Sequence, residues 1–288
     1  MPAVNPTHPA AAPPVTHYEN FPVASVLCPP RLRPAVAAIY WFARTADDIA
    51  DEGSASAAQR LTELAAYRSD LTAAANDSEP SPRWPHVFGP LRDAIRKFSL
   101  PESLLADLLS AFAQDVEKSR DAEGYEDRAS LIDYCSRSAN PVGRLLLHLY
   151  GVHDAASLAQ SDCICSALQL INFWQDLSQD IPRGRFYLPR EDCAAHGVSQ
   201  ADLLVLKQTP AVTALVAAEV RWARALMHQG APLVHRLPGR AGWELRLVVQ
   251  GGLRILQRIE AGGFASLIVR HKLGKRDAPA IVWNALWM

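Results

Sequence analysis

The stretch AVAAIYWFARTADDIADEG, Ala35 to Gly53, decides how this chain folds. Nine consecutive apolar residues, Ala35 to Ala43, cover every face of a helix, which predicts a central, buried one. The run then turns acidic, with Asp47, Asp48, Asp51 and Glu52 ahead of a terminating Gly53. That placement is unfavourable, because a helix C-terminus already carries partial negative charge and like charges four residues apart repel. Something cationic must offset it. At about 100° per residue, Tyr40, Arg44, Asp47 and Asp51 share one face, with Asp47 and Asp51 one turn, about 6 Å, apart. Two carboxylates so spaced can each ligate a hard divalent cation and leave positions for water and phosphate oxygens. A solvated acidic helix end is the alternative reading.

A second segment repeats the arrangement. In SALQLINFWQDLSQDIPRGRFYLP, Ser166 to Pro189, the residues Gln169, Asn172, Asp176 and Asp180 fall three, four and four apart on one polar stripe. Leu168, Ile171, Phe173, Trp174 and Leu177 cover the other faces, and Pro182 ends the helix just past Asp180. Acid again sits at the wrong end for the dipole, and the cations Arg183, Arg185 and Arg190 follow. Carboxylate pairs beside arginines suit a metal-bridged polyphosphate, which needs both. Two such stripes can face each other across one cavity.

Outward from these segments the pattern stays helical. Gln59 to Leu71, Leu104 to Val116 and Ala211 to Met227 carry apolar residues at helical spacing, and no alternating strand pattern stands out. Breaks are expected at Gly53, Pro80 to Pro90, Pro101, Gly124, Gly151, Pro182, Gly197, Pro210, Gly230, Pro238 and Gly251-Gly252. Asn76 to Pro90 is too short a linker to separate two domains convincingly. The expectation is one all-α domain of about ten or more helices over residues 17–288, after a disordered Pro/Ala-rich tail at residues 1–16. That tail has no Lys or Arg and no apolar run, so it reads as neither signal nor transit peptide.

Composition sets the outer limits. The chain has 288 residues, 49% of them hydrophobic, ample for a core. A net charge of -1 argues against a nucleic-acid partner, and nine apolar residues fall far short of the roughly 20 that span a bilayer. Five cysteines, Cys28, Cys135, Cys163, Cys165 and Cys193, lack metal-site spacing and read as reduced thiols in a cytoplasmic protein.

The two motifs YWFARTADDIAD (Tyr40 to Asp51) and QLINFWQDLSQD (Gln169 to Asp180) resemble those of the squalene/phytoene synthase family of head-to-head isoprenyl diphosphate enzymes. IDYCSRSANPVG, Ile132 to Gly143, matches a third family segment, and the resemblance covers nearly the whole chain from about His17. It implies an all-α isoprenoid synthase fold, a helical bundle around a central cavity. It also implies Mg2+, two or three ions, held by Asp47, Asp51, Asp176 and Asp180 with Asn172 alongside. Arg44, Arg185 and Tyr187 would contact diphosphate, Phe21 and Gln169 would join them in holding substrate, and Tyr40 and Tyr134 would line the reaction centre.

Departures from the common family pattern narrow the reaction. Ser138-Ala139-Asn140-Pro141 stands where relatives carry a VAGxVG-like turn, and Gln175 where a basic residue is common. Together with ENFPVAS from Glu19 and NFWQD from Asn172, these strings are similar to the branch of bacterial hydroxysqualene synthases in hopanoid pathways. Such an enzyme takes presqualene diphosphate, made by a sister synthase, to hydroxysqualene. Aromatic candidates for excluding water from the carbocation are Phe21, Tyr40, Trp41, Phe42 and Phe173. A quenching water is expected near Asn140 and Pro141, where a proline inside a helix would free a carbonyl; Ser138 is a further candidate. Water capture needs no NADPH, and no dinucleotide motif is present.

Two other readings stay open. One is condensation of two farnesyl diphosphates to presqualene diphosphate or squalene; the other is a non-catalytic helical scaffold, against which all four spaced aspartates stand. The C-terminal HKLGKRDAPAIVWNALWM mixes cations with Trp283 and Trp287. It suits either peripheral contact with the inner membrane or packing on the body.

Overall fold

The computed structural model describes Leu27 to Met288, so Phe21, the ENFPVAS string and the N-terminal tail lie outside the described residues. Within these bounds there are twelve α-helices, three short 3-10 turns and no strand. Contacts divide the chain into two compact units, one ending at Leu109 and one from Ser110 to Met288.

The first unit is built on α1 (Arg33–Asp51), α2 (Ala57–Ala75) and α3 (Pro85–Phe98), which pack pairwise. Ala35, Val36, Ala38, Ile39, Phe42 and Ala46 bury one face of α1, whereas Ala37, Tyr40, Trp41 and Ala43 of the same apolar run are half-buried, so burial is less complete than the run predicts. Phe42 stacks on Tyr67 at 5.3 Å, and Phe88 and Trp84 approach the same Tyr67 ring at 4.7 and 4.9 Å. Phe42 is fully buried there, and packing accounts for it. The Tyr67 hydroxyl donates to the Phe42 carbonyl at 3.0 Å, so no polar atom of the ring is stranded. The expected break at Pro80 to Pro90 is shorter than the prolines suggest. Pro85 takes a first-turn position, where no N–H is needed, and Pro90 lies inside α3, which forgoes one main-chain bond.

The second unit takes in the end of α4 (Glu102–Asp121) and α5 (Arg128–Ser138), α6 (Asn140–Leu149) and α7 (Ala155–Asp180). The short α8 (Arg190–Ala195) and α9 (Gln200–Leu204) follow, then α10 (Pro210–Gly230), α11 (Arg240–Ala261) and α12 (Ala278–Leu286). Helix α7 is its axis, packed against α10, α6, α11 and α5. Asp154 caps its start by accepting from the Ser157 N–H at 3.0 Å, and Ala167, Leu170 and Trp174 are fully buried. The break expected at Gly251-Gly252 is absent, for α11 runs straight through it. A Cβ on Gly252 would stand 2.9 Å from Met227 Cε, 3.1 Å from Leu168 Cδ2 and 3.2 Å from Ile171 Cδ1. This glycine lets helices touch; it does not end one.

Candidate active site

The first acidic helix end supplies its own cations. Arg44, one turn before them, reaches Asp48 at 2.9 Å and Asp47 at 3.5 Å. Arg60 of α2 then serves the terminus of α1, donating to the carbonyls of Ile49 at 3.0 Å, Gly53 at 2.9 Å and Ala55 at 3.1 Å. A guanidinium on the last carbonyls is the arrangement a helix C-terminus favours. Asp47, Asp51, Arg44 and Tyr40 are all half-buried along this helix, and Tyr40 meets Trp41 edge-on at 5.3 Å.

The second acidic end is more enclosed. Asp176 is buried and its two oxygens accept from Arg270 Nε at 2.5 Å and Nη2 at 2.7 Å, a fork-on-fork pair. Asp180 is half-buried one turn on. Burial pushes its carboxyl up to about 7, the Asp176 charge adds to the shift, and Arg183 and Arg270 oppose it. The Arg185 N–H donates to the Asp180 carbonyl at 3.0 Å, folding the arginine-bearing strip back under the end of α7. Gln169 and Asn172 are half-buried on the same helix.

Beside it lies an aromatic cluster. Phe173 and Tyr187 stack at 3.7 Å, with Tyr134 6.2 and 6.4 Å from them and Tyr125 5.4 Å from Tyr134. Tyr134 donates its hydroxyl to Asp115 at 2.7 Å. Burial holds the Tyr134 and Tyr187 hydroxyls well above their ordinary value, the nearby Asp115 adds, and at Tyr187 so does Asp180. These phenols stay protonated and keep a proton to donate. A groove of about 500 Å3, lined by Gln114, Lys118, Tyr125, Ser130, Asp133 and Arg190 among others, opens on the outer side of Tyr125.

Asn140 and Pro141 are placed differently from the expectation. The chain breaks at Ala139 between α5 and α6, and Pro141 sits in the first turn of α6, so it interrupts no helix. Asn140 is buried and accepts from Ser166 Oγ of α7 at 2.9 Å. Ser138 Oγ is buried without a hydrogen-bond partner among the described residues.

Thus Asp176, Asp180, Tyr134 and Tyr187 share one neighbourhood, Asn140 reaches α7 through Ser166, and Tyr40, Arg44, Asp47 and Asp51 form a group on α1. Asp115, Arg60 and Arg270 escape the sequence reading, since none belongs to a spaced motif. The donors fit magnesium. No cluster of three or more His, Cys, Asp or Glu suited to a metal occurs among the described residues. Magnesium, however, takes only one or two carboxylates when phosphate and water complete its shell. Asp176 and Asp180, one turn apart at the enclosed end of α7, are a pair of hard oxygen donors of that kind.

The chain also resembles known proteins. A profile of the squalene/phytoene synthase family matches residues 15–277. The hydroxysqualene synthase of Rhodopseudomonas palustris is 33% identical over 89% of this chain and 91% of its own. The presqualene diphosphate synthase of the same organism is 32% identical over 95% of each. Among solved structures, the squalene synthase HpnC of Alicyclobacillus acidocaldarius superposes with a TM-score of 0.77 at 35% identity, covering 86% of this chain and 90% of that one.

Proposed function

The chain belongs to the squalene/phytoene synthase family, and from that premise we propose that it converts presqualene diphosphate to hydroxysqualene, with residues 17–288 acting as one catalytic domain. Identity alone does not choose the reaction, because relatives named for two successive steps match almost equally well. The observation that carries the choice is the polar break between α5 and α6. The buried hydroxyl of Ser138 is unpartnered among the described residues, and the neighbouring Asn140 amide is held by Ser166. An orphan hydroxyl beside a fixed amide can hold the water that ends the reaction.

Asp47, Asp51, Asp176 and Asp180, with Asn172, bind Mg2+ in this reading. The metal, when bound, supplies positive charge that stabilises the departing diphosphate. Arg44, Arg185 and Tyr187 orient the diphosphate oxygens, while Phe173, Tyr40 and Tyr134 keep bulk water from the cation. Ser138 and Asn140 orient one water whose oxygen bonds to the cationic carbon; its proton leaves to solvent and diphosphate is the second product. No reductant enters this balance. An enzyme making presqualene diphosphate must supply the substrate.

Incubation with presqualene diphosphate and Mg2+, without NADPH, tests the reading. Hydroxysqualene is expected, with no product from farnesyl diphosphate alone. Conversion of farnesyl diphosphate to presqualene diphosphate would favour the second reading, which the match to a presqualene diphosphate synthase supports.

A further inference from the structure

Among the described residues no helix is long and apolar enough to cross a membrane. The last helix is nonetheless apolar on two sides. Helix α12 contains no charged residue, and Ala285 is buried where it packs against α11. Its outer face carries Val282, Trp283, Leu286 and Trp287 at three- and four-residue spacing, with the two indoles 61% and 76% exposed. A helix that is apolar all round belongs in an apolar setting on both faces. Ile268, Val269 and Leu273 are likewise exposed on the preceding segment.

Charge identifies what covers it. Lys272, Lys275 and Arg276 are exposed between the apolar residues. The only acidic side chain after Glu260 is Asp277, which is fully buried and takes bonds from Arg254 at 2.7 Å and Arg258 at 2.9 Å. From Ile268 to Trp287 the exposed charged side chains are therefore all cationic. A twofold contact with a second copy would set these cations against themselves. Anionic headgroups complement them, and tryptophans settle at the level of those headgroups. We propose that α12 and the segment from Ile268 to Arg276 form a docking face for an anionic lipid bilayer, with α12 lying in the plane of the surface. Nine residues, about 13 Å of helix, reach only part of the way through a bilayer's roughly 30 Å hydrocarbon core. The inference holds whichever member of the family's reactions the protein performs.

Co-sedimentation of the full chain with vesicles tests it. Vesicles of phosphatidylcholine and phosphatidylglycerol at 3:1 are expected to bind at least about tenfold more protein than phosphatidylcholine alone, and high salt should reverse this. Trp283→Ala/Trp287→Ala should lower the partition at least about tenfold, and K272E/K275E/R276E should remove the preference for anionic lipid. Both sets of side chains are exposed, so circular dichroism melts should match the parent. Failure of the parent to bind anionic vesicles, or unchanged binding by the double tryptophan variant, would overturn the proposal. So would self-association in analytical ultracentrifugation that the tryptophan variant abolishes while vesicle binding persists.

Discussion

Arg270 and Asp176, 94 residues apart in sequence, meet in a two-point grip on the buried end of α7. The guanidinium provides positive charge for a carboxylate that would otherwise be buried beside Asp180 without enough of it. Arg270→Ala should cost about 1–2 kcal/mol in metal-free protein, lowering the melting temperature by about 2–8 °C for a chain of this size. Added Mg2+ should recover more of the loss in the variant than it adds to the parent. Calorimetry with chelator and with Mg2+ reads both. Equal melting temperatures without metal would show that the grip contributes nothing to stability.

Removing a carboxylate from the end of α7 or of α1 should act on turnover instead. Asp180→Asn and Asp51→Asn are each expected to lower kcat at least about 100-fold, roughly 2.7 kcal/mol of transition-state stabilisation, with far-ultraviolet circular dichroism unchanged. Retained activity in both would remove the metal-binding role from these pairs.

The break between α5 and α6 predicts product rather than rate. Ser138→Val, Asn140→Gly and Pro141→Thr together restore the pattern common in the family and delete the two polar groups. The fraction of alcohol among hydrocarbon products should fall several-fold by gas chromatography. An unchanged alcohol fraction would place the quenching water elsewhere.

Glu219 gives a pH signature of stability. It is fully buried, and Oε1 accepts from Arg128 at 3.1 Å. Burial pushes its carboxyl from 4.5 up to about 7 against the opposing Arg128 charge, and Asp192 raises it further. With the folded value above the unfolded one, the folded state binds this proton more tightly. The resulting stabilisation is complete below about pH 4.5 and is lost as pH rises through 7, on the order of 3 kcal/mol. Glu219→Gln cannot titrate. Urea midpoints of parent and variant should therefore diverge between pH 4.5 and 7, the parent losing ground. A constant difference would refute the assignment.

Asp277 carries the opposite sign. The Gly274 N–H and the arginine pair Arg254 and Arg258 hold its carboxyl down at about 2. Its contribution is present above pH 3.8 and fades as pH falls toward 2. Asp277→Ala should strip Arg254 and Arg258 of their shared carboxylate and expose the region after Gly274 to limited proteolysis at neutral pH. A digestion pattern identical to the parent's would show that α12 is held without it.

What the sequence disclosed and what it withheld follow the range of each physical signal. Helical periodicity acts over a few residues, so the buried face of α1, the spacing of Asp176 and Asp180 and the stop at Pro182 could all be read directly. Arg270, Arg60 and Asp115 find their partners across 94, 11 and 19 residues, beyond the reach of any periodicity. Glycine misled for a different reason. At Gly53 it closes a helix with φ +76°, whereas at Gly252 it admits a neighbouring helix, and the letter alone does not separate the two uses. Pro141 misled similarly, since a proline that begins a helix and one that bends it differ only in where the preceding helix stops.

The burial of Asp277 has an electrostatic consequence at long range. A chain of net charge -1 should drift toward an anionic surface with little orientation. Arg254 and Arg258 hold the charge of Asp277 inside the fold, so Lys272, Lys275 and Arg276 stand exposed with no exposed acidic side chain among them along the segment. In the proposed docking, attraction between these cations and anionic headgroups would act at longer range than the tryptophans, which need contact.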